Sequence, residues 1–255
     1  MEKETEQLLD LKGEENLSLL EIDTTIEPLV KITMLPSGFK GYPKGTTISY
    51  KPITIEELES LNSTDPDLDR NFALILKSIR CNTMKPEDLY YWDVIYIGVQ
   101  RLLTALGGTT GEFPALCPKC GKVVYKKASY TELDFKQLEV PALPMKMEVA
   151  GRQLEFGLPS VKQFLQLSPE AGEVGFYATL IKNMEPEEAL KFVKNLTGID
   201  IKKLRFVDKQ LDYGIRPFTV KCKCGAQVQV EVTPFGVVFP EDEFRDDIEF
   251  EVQYG

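Results

Sequence analysis

No histidine occurs among the 255 residues, and there is a single tryptophan. Histidine is the side chain whose unperturbed pKa lies nearest neutrality, and it is the commonest general acid or base. Triads and zinc hydrolase sites built on imidazole are therefore excluded, and only carboxylate pairs, lysines or a reactive cysteine remain for chemistry. We expect a protein that is not an enzyme. Positive charge is also short, with 30 Lys and Arg against 40 Asp and Glu and a formal charge of −10. Such a chain repels phosphate backbones and lacks the basic footprint of nucleic-acid binders, so direct nucleic-acid contact is not expected. No apolar run approaches the roughly 18 residues that cross a bilayer, and the N-terminus has no cleavable-signal pattern. No membrane insertion and a cytoplasm-like compartment follow. Thiols stay reduced there, so closely spaced cysteines read as metal ligands rather than disulfides.

What is present is a globular composition, 43% hydrophobic and 27% charged, in a chain long enough to bury a core. Residues 1–23 read as a charged arm with scattered leucines. Residues 24–53 carry turn formers (Pro36, Gly38, Gly41, Pro43, Gly45) around short apolar alternations, an extended strap or hairpin. Thr54 with Glu57 forms a capping box that opens a helical unit over 54–108. Asp65–Pro66 and Pro86 supply two further helix starts, with Leu68, Phe72, Ile75 and Ile79 on one face. Trp92 and Asp93 lie in the last of these helices among tyrosines, a stripe read as core. Strands are expected at Lys122–Tyr130, Met145–Val149 and Gln153–Phe156, helices from Ser160 to about residue 212, and strand again through Phe218, Val220, Val228, Val230 and Val232. An acidic end runs from Glu241 to Glu251.

Chemistry concentrates in the cysteines. In Leu116-Cys117-Pro118-Lys119-Cys120-Gly121-Lys122 two intervening residues let both sulfurs converge on one ion, and the glycine lets the backbone fold beneath it. Lys221-Cys222-Lys223-Cys224-Gly225 supplies a second turn. Cys117, Cys120, Cys222 and Cys224 are thus the candidate metal ligands. Four thiolates close the coordination sphere and make the ion structural; zinc is the expected metal, with an iron–sulfur cluster as the competing reading. Lys119, Lys122, Lys221 and Lys223 would offset the charge of such a centre. Cys81 stands outside the set, read as a small buried hydrophobe. No catalytic residue and no organic cofactor site is assigned.

The expected fold class is α+β: a helical unit plus a four-cysteine zinc-ribbon-like β element, residues 109–140 and 215–255, with a hairpin and helical insert at 141–214 between the two cysteine pairs. The ordered set Leu35-Pro36-Ser37-Gly38 with Tyr42, the helix through Asp93 to Arg101 and Gly107-Gly108, Cys-Pro-Lys-Cys at 117–120, Leu211-Asp212-Tyr213-Gly214-Ile215 and Val232-Thr233-Pro234-Phe235 resembles baseplate hub proteins of T-even-like contractile-tailed bacteriophages. The resemblance covers about residues 28–240. It implies a structural or tail-assembly component, virion, tail baseplate and hub in location, assembled in the host cytoplasm. It further implies other baseplate and hub proteins as partners in a hetero-oligomeric assembly, and no catalysis. The alternative from another class is a zinc-ribbon adaptor of transcription or translation machinery.

Overall fold

The computed structural model describes residues 29–54, 56–58, 68–104, 110–168 and 171–235. The chain mixes helices with several small antiparallel sheets. Strand β1 (Val30–Lys31) pairs with β2 (Ile48–Tyr50), which pairs in turn with β3 (Ile79–Cys81). Between β2 and β3, residues 56–58 are helical and α1 spans Leu68–Ser78. The capping box forms: the Thr54 amide donates to Glu57 Oε2 at 2.9 Å and the Glu57 amide to Thr54 Oγ1 at 3.2 Å. The Asp65–Pro66 start lies outside the described residues. Phe72 and Ile75 bury the inner face of α1. Ile79 is also buried but belongs to β3, not to the helix. The helical spacing therefore overruns the true end of α1, because pairing with Tyr50 takes over at that residue.

A short 3-10 turn at Pro86–Asp88 precedes α2 (Tyr91–Thr104). Every residue of α2 from Asp93 to Val99, and from Arg101 to Leu103, is buried. A helix covered on all sides is a central element rather than an amphipathic surface one. It lies in a core cluster that also holds Leu35, Ile48, Tyr50, Phe72, Phe113, Ile215 and Val230.

The two cysteine hairpins follow the same logic of alternation. Strand β4 (Gly111–Leu116) pairs with β5 (Val123–Ala128) from Gly111↔Ala128 to Leu116↔Val123. Between the hairpins, β6 (Phe135–Lys136) is separated from its partner strand by an insert. The insert holds the hairpin of β7 (Met145–Val149) with β8 (Arg152–Phe156), then α3 (Val161–Leu165), α4 (Gly172–Leu180), α5 (Pro186–Lys194) and α6 (Gly198–Gln210). Ser160 caps α3 with a reciprocal Gln163 bond. The insert has its own cluster of buried side chains, including Val149, Leu154, Phe156, Leu180, Val193, Leu204 and Val207. Strand β9 (Gly214–Ile215) then returns to pair with β6, Phe135↔Ile215 and Lys136↔Gly214. The second hairpin joins β10 (Phe218–Lys221) to β11 (Gln227–Val230). Trp92 packs on both clusters. Backbone bonds from Tyr91 N to Pro159 O and from Val161 N to Leu89 O, 3.0 and 2.9 Å, tie the start of α2 to that of α3. No helix among the described residues is long and apolar enough to cross a membrane.

Candidate metal centre

The bases of both hairpins belong to the main core: Phe113, Ala128 and Val230 are buried there, and Phe218 and Val220 pack against it. Their tips have little to hold them. Around the cysteines the buried set is Cys117, Cys222 and Val228, with Ala115, Val124, Cys224 and Ala226 alongside. So few apolar groups stabilise a junction weakly, and a cross-link is what small elements of this kind use instead.

Each tip is a turn that aims two sulfurs inward. In the first, the Gly121 amide donates to Cys117 O and the Cys117 amide to Lys122 O, both at 2.9 Å. In the second, the Gly225 amide donates to Cys222 O and the Cys222 amide to Ala226 O, both at 2.8 Å. Gly121 and Gly225 sit at φ +67° and +87°, a left-handed backbone that glycine adopts without the Cβ penalty. All four Sγ atoms lie within 4.8 Å of one another. The contacts cross between hairpins: Cys117 to Cys224 at 3.6 Å and Cys120 to Cys222 at 3.7 Å. Those separations are far beyond the roughly 2.05 Å of a disulfide. They match the edge of a sulfur tetrahedron around an ion with bonds of about 2.3 Å, which is about 3.8 Å.

The electrostatics match a cation too. Burial raises the Cys117 thiol, but amides of Cys120 and Lys119 directed at its sulfur outweigh that and bring it down to about 6. The Ala226 amide draws Cys224 down, yet burial and the sulfurs of Cys117, Cys222 and Cys120 push it up to about 12. Several thiols this close cannot all ionise unless positive charge lies among them. Lys119, Lys122, Lys221 and Lys223 surround the tips, all exposed. Cys81 is apart, half-buried in β3 opposite Ile48.

A second constellation centres on Asp93, which the sequence places in a core stripe, and on Arg101, whose partners the sequence does not signal. Asp93 is wholly buried. Its Oδ1 accepts the Ser37 amide at 3.0 Å and its Oδ2 the Tyr42 hydroxyl at 2.9 Å. Tyr42 accepts in turn from the Tyr90 amide, with the two rings stacked at 4.5 Å. Burial lifts the Asp93 carboxyl to about 6 against the pull of the Ser37 and Tyr42 donors. Two turns further along α2, Arg101 donates to Lys51 O at 2.6 Å, Pro52 O at 3.2 Å and Glu57 Oε2 at 2.6 Å. Asp93 and Arg101 are thus polar pins holding residues 37–57 to the central helix, and both Asp93 oxygens are committed to the strap.

The motifs of the pinned strap, α2 and both cysteine turns fall inside one span: the family described as T4 bacteriophage base plate protein matches residues 28–239. The chain belongs to that family. Among curated proteins and solved structures nothing matches the chain. As a member, it is a phage baseplate protein with a structural role in the tail. Both cysteine turns and both polar pins of this baseplate protein lie within the matched span, so the cross-hairpin cluster sits inside the family region rather than in an added segment.

Proposed function

We propose that Cys117, Cys120, Cys222 and Cys224 hold one structural zinc ion. In this reading they lock the two hairpins into a zinc ribbon on a non-catalytic subunit or assembly factor of the baseplate hub. The observation that carries the metal is the sulfur arrangement, with cross-hairpin edges of 3.6 and 3.7 Å and all sulfurs within 4.8 Å. Four protein ligands leave no coordination position for water or substrate, which makes the ion a clamp rather than a Lewis acid. We read the organisation accordingly: the strap and helical unit at 24–108, the ribbon at 109–140 and from 215 onward, and the insert at 141–214. The ordered motifs support a hub position and partnership with other hub proteins, and membership of a baseplate family is consistent with both. A transcription or translation adaptor is disfavoured by that membership and by the acidic charge.

The test has two parts. Metal analysis of the purified chain should return one zinc per chain, colourless, released by a thiol-modifying reagent; iron with visible absorbance would replace zinc by a cluster. Affinity purification of the tagged chain from infected cells should bring down baseplate and hub proteins. Recovery of polymerase or ribosomal subunits instead would overturn the hub assignment.

A further inference from the structure

In an antiparallel pair, residues directly opposite share a face. The register of β4 with β5 sets Pro114 opposite Tyr125 and Leu116 opposite Val123. Their inward neighbours Phe113, Ala115 and Val124 face the cores. The outward face is apolar and open to solvent: Leu116 is 69% exposed, Tyr125 51% and Val123 48%. A cluster of exposed apolar side chains of this kind marks a contact surface. Its rim is cationic. Residues 111–128 and 218–231 carry six lysines (119, 122, 126, 127, 221 and 223) against two glutamates, in a chain of net charge −10. The ligand for such a face is acidic and apolar together.

One segment of this chain has that composition. Residues 241–254 lie outside the described residues. Their sequence holds seven carboxylates and one arginine, and from Ile248 to Tyr254 it alternates strictly, with Ile248, Phe250, Val252 and Tyr254 apolar and Glu249, Glu251 and Gln253 polar. Period-two alternation of β-branched and aromatic residues is the pattern of a strand with one apolar face. We propose that the outward face of the β4–β5 hairpin is the docking site of the chain's own acidic C-terminal segment. Its apolar row lies on Leu116, Val123 and Tyr125, and its carboxylates meet the lysine rim. Reach is sufficient: thirteen positions from Phe235 to Ile248 span up to about 43 Å, and a six-residue strand is about 20 Å long. Attachment through a short linker also gives an effective concentration near millimolar, so a weak contact of about 0.1 mM stays roughly nine-tenths occupied. The proposal goes beyond the baseplate reading and rests on the hairpin register and the sequence, not on which metal is bound.

The experiment is zero-length carbodiimide cross-linking of the full chain, as an equal mixture of ¹⁴N and ¹⁵N protein, followed by peptide mass spectrometry. The expected result is links within single chains from carboxylates of 241–251 to Lys119, Lys122, Lys221 or Lys223. These should fall at least threefold at 500 mM salt, where surface charge is screened over a few Å. The I248S/F250S double variant keeps every carboxylate and touches no described core residue, and it should also lose the links at least threefold. Links confined to lysines of the insert, no links at all, or links unchanged in the double variant would overturn the proposal. Mixed-isotope links in place of single-isotope ones would overturn it in favour of a second copy as the occupant.

Discussion

Replacing Asp93 by asparagine changes charge while keeping shape, and it should reveal the buried carboxyl as a pH-dependent term in stability. The folded state raises this acid from 3.8 to about 6 because burial outweighs three donated bonds. The folded state therefore binds the proton more tightly than the unfolded chain does. The stability this group contributes is fully present below its unfolded pKa and is lost as pH rises through 6. Between pH 7.5 and pH 5 the wild type should gain on the order of 1 kcal/mol from this group alone. Other carboxyls work the opposite way: Glu57 and Asp212 are held below their ordinary values, the former by Thr54 and Arg101 against its partial burial, the latter by Arg216 and Lys136, also against burial. They lose stability on acidification in both proteins, so the difference between wild type and Asp93→Asn isolates Asp93. The assay is urea unfolding of both proteins at pH 5, 6 and 7.5, with the free energies subtracted. A difference that shifts by on the order of 1 kcal/mol toward the wild type at pH 5 is expected. A pH-independent difference would refute a raised carboxyl, and a shift toward the variant would mean that the hydrogen bonds win over burial.

Cys120→Ser or Cys224→Ser should each abolish stoichiometric metal binding. Where free metal exceeds its dissociation constant a thousandfold, that removes about 4 kcal/mol, or roughly 8–16 °C in melting temperature for a chain of this size, as scanning calorimetry would read. Arg101→Met should cost about 3 kcal/mol in urea unfolding, because the carbonyls of Lys51 and Pro52 lose their donor and Glu57 its counter-ion. Gly98→Ala gains about 1 kcal/mol of helix propensity. Its new methyl would meet Pro234 Cγ at 2.9 Å and Ile75 Cδ1 at 3.0 Å. Overpacking of about 1–3 kcal/mol should win, and a higher melting temperature in this variant would show that the contact relaxes freely.

The sequence was most legible where the physics is local. Two residues between the first two cysteines and one between the second two, a glycine after each pair, Thr54 with Glu57 and Ser160 before an apolar run each fix a backbone turn from a few adjacent positions. The cysteine turns were found for that reason, and the sulfurs do converge within 4.8 Å. Strand β4 was less visible because Pro114 interrupts it, yet its register with β5 runs unbroken past Tyr125. Strands β6 and β9 are two residues each, too short for any periodicity to register. Ile79 continued the helical stripe in sequence but belongs to a strand, since its partner Tyr50 lies 29 positions away and leaves no local trace. Asp93 is legible as part of a core stripe, but its partners and those of Arg101 are not. Only the fold brings Ser37 and Tyr42 around to Asp93, and Lys51 and Pro52 to Arg101.

The cysteine pairs lie 102 positions apart, from Cys120 to Cys222, but a metal ion need not close a loop of that length. The β6–β9 pairing already joins Lys136 to Gly214. It is reinforced by Arg216 N to Asp134 O at 2.8 Å, and by ion pairs from Lys136 and Arg216 to Asp212 at 3.2 and 3.1 Å. What remains open between the two cysteine pairs is about 20 residues, and closing 20 rather than 102 lowers the entropic cost by only about 1.4 kcal/mol. The larger consequence is separability. The insert packs on its own buried cluster and the hairpin bases on the main core, so the tips alone depend on the sulfurs. Chelation of the zinc-loaded chain should therefore speed amide exchange at Cys117, Gly121, Cys222 and Gly225 while β7, β8 and α4 to α6 keep their protection, since local opening follows cooperative units of packing. Hydrogen exchange with peptide-level readout decides it. If the insert lost protection together with the tips, the ion would be organising the whole chain, and the β6–β9 pairing would not be the element that closes the insert.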